Sequence, residues 1–193
     1  MKIAFDEHIP TALVRMFAGF ASERQFQKLS VGLTIRSARD YAPTKNDPDY
    51  IRKSDAPWIR RFAEDNGKVI ISGDLNMMNR PLERTALVQE GMIVLFFGQP
   101  WHGWKFFKKS ALLLHWWPQI APLVETAPSP SFWRIPPSWA DDATLQPIPT
   151  SDKKLTKIER QKAAQVVVAR RRQAIREPST LPLFEASSAE QKA

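Results

Sequence analysis

Over the first hundred residues, short apolar runs of strand length alternate with segments of helical periodicity. The strand-like runs lie near 2–5, 26–33, 68–72 and 92–97. This alternation predicts an α/β fold with a small parallel sheet flanked by helices, because a chain returns to a parallel strand through a helical crossover. In such sheets ligands bind outside the carboxyl ends of the strands. Residues that directly follow the apolar runs are therefore the first candidates for a functional site.

The remainder of the chain divides by composition. Four helical segments are predicted: after Pro10, after the N-cap Ser54, over 81–90, and over 104–126, where Pro118 should kink or divide the helix. A Pro-rich stretch follows, with an edge strand predicted at 131–135. We predict four regions: a core domain at 1–140, a linker at 141–152, a basic helix at 153–177 and a disordered tail at 178–193.

Most of the net charge of +8 belongs to one segment. Residues 151–176 carry nine Lys or Arg against two acids, whereas the other residues carry nineteen against eighteen. The basic helix could contact RNA, pack on the core domain or meet a partner protein. A run of like charges is most often solvated, so we do not place it in the active site.

Several classes of protein are excluded or disfavoured by composition. The chain has no cysteine, which rules out disulfides, thiolate metal sites and cysteine nucleophiles. It has no apolar run long enough to span a membrane, and its first residues, MKIAFDEH, lack the apolar stretch of a signal peptide. The expected location is the cytoplasm. No glycine-rich phosphate-binding loop is present, and the acids do not follow a phosphoacceptor or haloacid phosphatase pattern.

Three aspartates occupy positions suited to binding a metal ion. Asp6 follows the first apolar run, Asp74 follows the third, and Asp55 falls in the first turn of a predicted helix. Hard cations such as Mg²⁺ prefer carboxylate oxygens. A helix start also favours a carboxylate electrostatically, which explains Asp55 without any metal. Buried strand ends seldom carry a charge without a partner, so Asp6 and Asp74 are the stronger candidates.

The order and spacing of these motifs resemble the PIN-like nuclease domains, in particular VapC-type toxins and related short proteins. The resemblance covers roughly residues 1–100. It rests on three motifs: Asp6-Glu-His-Ile-Pro10, then Asp55 with Ile59, Ala63 and Gly67 at four-residue steps, then Val69-Ile-Ile-Ser-Gly-Asp74. Two positions depart from the family pattern, because His8 replaces an Asn and Asn76 replaces a further Asp.

The resemblance implies a metal-dependent ribonuclease that binds Mg²⁺ or Mn²⁺ through Asp6, Asp55 and Asp74. Glu7 and Asn76 would complete the catalytic group, although Asn76 lowers its negative charge and makes a second metal doubtful. An antitoxin protein is the implied partner, and the oligomeric state stays open. The alternative is a catalytically silent PIN-like module that binds nucleic acid or another protein.

Four residues are predicted to contact RNA near this site: Arg36, Arg39, Trp101 and His102. The arginines would meet phosphates, and the aromatic residues would lie at the rim of the site and stack on bases. Solvated loop charges and packed aromatic rings are the competing interpretation. For Trp116 and Trp117, within an apolar helix, packing is favoured.

Overall fold

The structure is a computed structural model, and it describes residues 1–149. Its strands are β1 (Lys2–Phe5), β2 (Thr34–Ser37), β3 (Val69–Ser72), β4 (Ile93–Phe97), β5 (Ser131–Ile135) and β6 (Gln146–Ile148). Its α-helices are α1 (Thr11–Phe20), α2 (Arg24–Leu29), α3 (Ala56–Glu64), α4 (Pro81–Gln89) and α5 (Phe106–Thr126). Short 3₁₀ turns cover Ala38–Asp40, Leu75–Met78 and Trp101–Gly103. The predicted basic helix and tail lie outside the described residues.

The strands form one six-stranded sheet in the order β2-β1-β3-β4-β5-β6. All neighbours pair in parallel except β6, which is antiparallel to β5. The predicted α/β class is therefore confirmed. Because β1 and β3 are neighbours and run the same way, the residues that follow them meet at one edge of the sheet.

Apolar side chains cover both faces of the sheet. Ile3 and Phe5 point to the face that α1 and α5 cover, whereas Ala4 points to the face that α3 and α4 cover. This follows from the period of two along a strand. Burial on both faces explains why β3 and β4 read as continuous apolar runs, since every residue in them is buried.

The second strand was predicted too early in the chain. The segment predicted as a strand at 26–33 contains part of α2 and a turn at Gly32, and β2 begins only at Thr34. Phe26 and Leu29 are three residues apart, which suits a helix. Phe26 stacks on Trp117 of α5, with ring centroids 5.5 Å apart. The apolar run alone predicted a strand, but the packing of the Phe26 ring against α5 favours a helix here.

Two predictions about the later part of the chain also need correction. The segment 131–135 is a strand, but it lies between β4 and β6 and is not at the edge. The edge strand β6 lies within the segment 141–152, which was predicted to be a linker. The prolines in this part of the chain favoured a linker over a strand. Pro can occupy an edge strand because the edge does not need every N–H.

Pro118 does not divide the long helix. α5 is continuous from Phe106 to Thr126, with Pro118 and Pro122 inside it. Both prolines are exposed, so the carbonyl groups that lose a helical partner lie toward solvent. Trp116 and Trp117 are buried in the core as predicted. No helix within residues 1–149 is long and apolar enough to cross a membrane.

Two glycines are expected to respond oppositely to a methyl group. A Cβ at Gly67 would lie 2.3 Å from the buried ring of Phe62, whereas a Cβ at Gly19 in α1 would meet nothing within 4 Å. We expect Gly67→Ala to lower the free energy of unfolding by about 1–3 kcal/mol, since the ring must move. Gly19→Ala should raise it by up to about 1 kcal/mol through helix propensity. Urea unfolding of both variants measures the contrast, and equal effects would contradict it.

Candidate acidic site at the carboxyl edge of the sheet

Asp6 is held at the end of β1 by the strand pairing itself. Its N–H donates to the carbonyl of Ile71 at 3.1 Å, and its side chain is buried, with 2% exposed. Two residues beyond Ala4, it points to the face that α3 and α4 cover. The hydroxyl of Ser72, at the end of β3, donates to Asp6 Oδ2. The first predicted acid is therefore buried and fixed by a neighbouring strand.

Asp74 is fixed by the turn that follows β3. Its N–H donates to Ser72 Oγ at 2.9 Å, and its Oδ1 accepts the N–H of Asn76 at 2.9 Å. It is 6% exposed. Ser72 therefore touches both Asp6 and Asp74. Asn76 takes part in this arrangement through its backbone N–H, although the residue as a whole is exposed.

Asp55 stands at the N-terminal end of α3, above the same edge of the sheet. Its Oδ1 accepts the indole N–H of Trp58 at 3.0 Å. Burial raises the pKa of the Asp55 carboxyl, the Trp58 bond opposes this rise, and the charges of Glu7, Glu83 and Asp6 add to it. The predicted N-cap Ser54 lies one residue earlier and accepts the N–H of Ala56 at 3.3 Å.

Arg80 joins Asp55 to Asp74. One guanidinium nitrogen lies 3.4 Å from Asp55 Oδ2 and the other lies 3.0 Å from Asp74 Oδ2. The two carboxylate side chains are 15% and 8% exposed, whereas that of Arg80 is 43% exposed. Asp55, Arg80, Asp74, Ser72 and Asp6 therefore form one connected network. The structure brings the three predicted aspartates together, and it adds a cation that the sequence did not predict.

Glu83 is a fourth acid that the sequence analysis missed. It lies in α4, is 2% exposed, and accepts the backbone N–H of Asp55 at 3.2 Å. A signal was present in the sequence, because Glu83, Ala86 and Leu87 share the buried side of α4 at helical spacing. An acid on an otherwise apolar stripe indicates a buried carboxylate.

The contact between Glu83 and Asp55 predicts a graded loss of stability. Glu83→Ala leaves the Asp55 N–H without its acceptor, so we expect the free energy of unfolding to fall by about 1–3 kcal/mol. Glu83→Gln keeps a side-chain oxygen at the same place and should lose less. Chemical denaturation of the two variants checks the order. The reverse order would mean that the hydrogen bond to Asp55 does not matter.

His8 and Glu7 lie on the outer side of the cluster. The backbone N–H of His8 donates to Asp6 Oδ1 at 2.7 Å, and the ring atom Nδ1 of His8 lies 3.8 Å from Asp6 Oδ2. Hydrogen bonding to Asp6, opposed by burial, raises the pKa of His8 to about 9. Glu7 is exposed, because β1 ends at Phe5 and Glu7 lies in the turn beyond Asp6. His8 and Arg80 thus place two cationic groups among the acids.

The donor atoms suit a hard divalent cation. Mg²⁺ is commonly held by one or two carboxylates together with waters. Asp55 Oδ2 and Asp74 Oδ2 already face one cationic group, that of Arg80. In residues 1–149 no group of three or more His, Asp or Glu is arranged to hold a metal ion. The fit is therefore to a site with two carboxylate ligands, with Asp6 behind them through Ser72.

The arginines predicted to contact RNA lie on the outer strand β2 and in the turn that follows it. Arg36 is exposed on β2. Burial raises the pKa of the Tyr41 hydroxyl, and the Arg36 guanidinium opposes this rise. The hydrogen bond from Lys2 lowers the pKa of Asp65, and the charge of Arg36 adds to this decrease. Lys2 Nζ, at the start of β1, is 2.7 Å from Asp65 Oδ1. The Arg36 backbone pairs with Ala4, one residue before the end of β1. Arg39 is exposed in the turn after β2, where its N–H donates to Ser37 Oγ.

Trp101 is fully buried, so the prediction that it stacks on a base is wrong. Its ring stacks on Phe97 with centroids 4.4 Å apart, and a Cβ at Gly73 would lie 3.2 Å from it. Trp101 therefore packs directly beneath the turn that carries Asp74. His102, whose ring meets Trp101 edge-on, is exposed at the rim.

The fold and this edge define an α/β protein whose buried acids gather at the ends of neighbouring parallel strands. The family model of the PIN-like domain matches residues 1–99, slightly more than half of the chain, and the chain belongs to this family. The match extends from β1 through β4. PIN-like domains are commonly nucleases. No curated protein and no solved structure matches the chain significantly.

Proposed function

We propose that the chain is a metal-dependent ribonuclease and that the acidic network is its active site. The observation that carries the proposal is the convergence of Asp55 and Asp74 on one cationic group, with Asp6 linked to Asp74 through Ser72. Buried carboxylates cost free energy unless they are paired. Such a cluster at the ligand-binding edge of an α/β sheet suits a function that uses its charge.

Each acid has a distinct role in this proposal. Asp55 and Asp74 hold the Mg²⁺ or Mn²⁺ through the oxygens that face Arg80. Asp6 orients Ser72 and thereby Asp74, and it adds negative charge behind the site. Glu83 holds the Asp55 backbone. Glu7 and Asn76 stand outside the buried group, so their part is limited to the second layer around the site.

When bound, the cation neutralises charge on the phosphate and makes a hydroxide nucleophile available near neutral pH. The protein's own contribution is to hold the carboxylates in place before substrate arrives. Strand pairing fixes Asp6, the 3₁₀ turn fixes Asp74, and the N-terminal end of α3 fixes Asp55. If Asp55 and Asp74 held the cation, Arg80 would leave these carboxylates, and its guanidinium would then be free to pair with a phosphate oxygen.

The test is cleavage of a labelled single-stranded RNA by the purified chain. We expect cleavage with Mn²⁺ or Mg²⁺ and none with EDTA. Asp55→Ala and Asp74→Ala should abolish it, and the exposed acid Glu90 provides the matched control in Glu90→Ala. Cleavage that persists equally in both aspartate variants would refute the proposed site.

The second candidate is a catalytically silent module that binds RNA or a protein. It is favoured by Arg80, which neutralises two of the acids from within the chain, and by Asn76, which replaces a further acid. This candidate predicts RNA binding without cleavage in any divalent metal.

The finer proposal is that the chain acts as the toxin of a toxin–antitoxin pair. It rests on the resemblance of the motifs to VapC-type toxins. Induced expression in a bacterial host should arrest growth, and Asp74→Ala should relieve the arrest. Equal growth of cells that express the parent and the variant at the same level would contradict a toxin role.

A further inference from the structure

Aromatic and basic side chains lie in the segments that follow β4 and β5, two parallel strands whose carboxyl ends are at the same edge of the sheet as the acids. We call this group of side chains the aromatic–basic surface, and it comprises Trp104, Lys105, Phe107, Lys108 and Trp139. Trp139 is 35 positions beyond Trp104 in the sequence, yet the two indoles stack with centroids 6.3 Å apart at 16°. The fold therefore assembles this surface from separate segments.

Two of its rings are available to a ligand. Phe107 is 83% exposed and Trp139 is 45% exposed. Single exposed apolar residues need no explanation. Here, however, Trp139 contacts two other rings, because its ring centroid lies 5.5 Å from that of His115 and 6.3 Å from that of Trp104. A large aromatic ring that is supported and still exposed is suited to stacking.

Cationic groups lie among these rings. Lys108 Nζ is 4.1 Å from the centre of the Trp104 ring. Lys105 is exposed at the start of α5, and Lys109 Nζ is 4.3 Å from the centre of the buried Trp101 ring. Asp141 and Asp142 follow Trp139 in the chain and are exposed, so they are the acids nearest to it in sequence. The three lysines occupy the first turns of a single helix.

The segment that carries the aromatic–basic surface is linked through Trp101 to the turn that carries Asp74. The backbone N–H of Trp104 donates to the backbone carbonyl of Trp101 at 3.0 Å. Trp101 in turn packs against Gly73, the residue before Asp74, and His8 packs there as well. The buried Trp101 therefore contacts both the turn that carries Asp74 and the start of the segment that carries Trp104.

We propose that the aromatic–basic surface binds a single-stranded nucleic acid and leads it to the acidic network. Proteins that bind single strands combine a positively charged surface with aromatic rings on which unpaired bases stack. Phe107 and Trp139 stack on bases, and Lys105 and Lys108 pair with phosphates. Duplexes bind weakly, because their bases are already stacked. This inference rests on the proposed function for its substrate class, but it concerns binding alone.

Binding is measured by fluorescence anisotropy of a labelled oligouridine of about 12 nucleotides with the full chain in EDTA, where no cleavage is expected. Phe107→Ala and Trp139→Ala should each weaken binding about tenfold. Val31→Ala, an equally exposed apolar residue at the amino edge of the sheet, should leave it unchanged. Phe107 is so exposed that its loss does not endanger folding.

Salt dependence provides a second readout. Lys108→Ala should reduce the slope of log affinity against log salt concentration by about 0.7, the value for one phosphate contact with a single strand. Lys68→Ala, which removes the same charge at the opposite edge of the sheet, should not. Any affinity of the basic segment 151–176 is common to all variants and cancels in these comparisons.

The position of the strand is mapped by photo-crosslinking with 4-thiouridine. Crosslinks in the peptide with Phe107 or Trp139 support the inference, whereas crosslinks confined to the peptide with Arg36 and Arg39 overturn it. Unchanged affinity in both aromatic variants also overturns it, whether or not the protein cleaves RNA. Weakened binding without cleavage in any metal would leave this inference standing and refute the nuclease.

Discussion

Asp6→Asn is expected to lower the rate of RNA cleavage at least about 100-fold without unfolding the protein. Replacing residues that only support metal ligands already costs about 10–100-fold, and Asp6 supplies both charge and orientation. Its Oδ2 accepts from Ser72, which also contacts Asp74. Asn keeps the size of the side chain and an oxygen for the backbone N–H of His8, but its amide nitrogen cannot accept from Ser72, so the change removes the charge together with that hydrogen bond.

Single-turnover cleavage at saturating Mn²⁺ measures the effect, and circular dichroism with thermal unfolding checks the fold. Glu64→Gln is the matched control, because Glu64 is exposed at the far end of α3 from Asp55. The double variant Asp6→Asn/Asp74→Asn should be hardly slower than either single variant, since groups that act as a unit are not additive. If the fold-decrease in rate of the double variant equalled the product of the two single fold-decreases, the two acids would act independently.

Arg80→Met is expected to make the metal-free protein less stable and to strengthen its binding of Mn²⁺. Exposed ion pairs contribute about 0–1 kcal/mol, and breaking a buried pair costs about 3–5 kcal/mol. Arg80 is partly exposed while Asp55 and Asp74 are nearly buried, so we expect a loss of about 1–3 kcal/mol in EDTA. A competing pair that contributes about 1.4 kcal/mol weakens apparent metal affinity about tenfold.

Isothermal titration calorimetry with Mn²⁺ and thermal unfolding with and without Mn²⁺ test both parts. Saturating Mn²⁺ should remove most of the stability difference between parent and variant, because the metal replaces the lost guanidinium. Arg60→Met changes the same charge on the exposed side of α3 and should leave metal affinity unaltered. If Arg80→Met bound Mn²⁺ no more tightly than the parent, the guanidinium and the metal would not share a position.

The local features of the acidic site were predictable because they depend on a few consecutive residues. Asp6 directly follows a strand that is buried on both faces, whereas Glu7 lies in the turn beyond it. The apolar run of β3 followed by Ser72 and Gly73 predicts a turn, and Asp74 stands in it. Parallel strands with helical crossovers place the two ends at one edge. These properties follow from backbone geometry, so the pattern of residues indicates them.

Other features depend on packing between distant parts of the chain. The apolar run at 26–33 predicted a strand, but part of it is helical, and Phe26 packs against Trp117. The strand β6 was not predicted, because its segment contains proline, which an edge strand tolerates. Trp101 was predicted at the rim because it follows β4, but the space beside Gly73 and Phe97 accepts its ring.

Arg80 and Glu83 show the same distinction at the acidic site. Arg80 and Glu83 are 25 and 28 residues from Asp55 in the sequence, and no local pattern predicts that they contact it. Their contacts exist because α3 and α4 pack on the same face of the sheet, with their starts above the ends of β1 and β3. Short-range periodicity thus sets which side chains face inward, whereas strand order and helix packing set which of them meet.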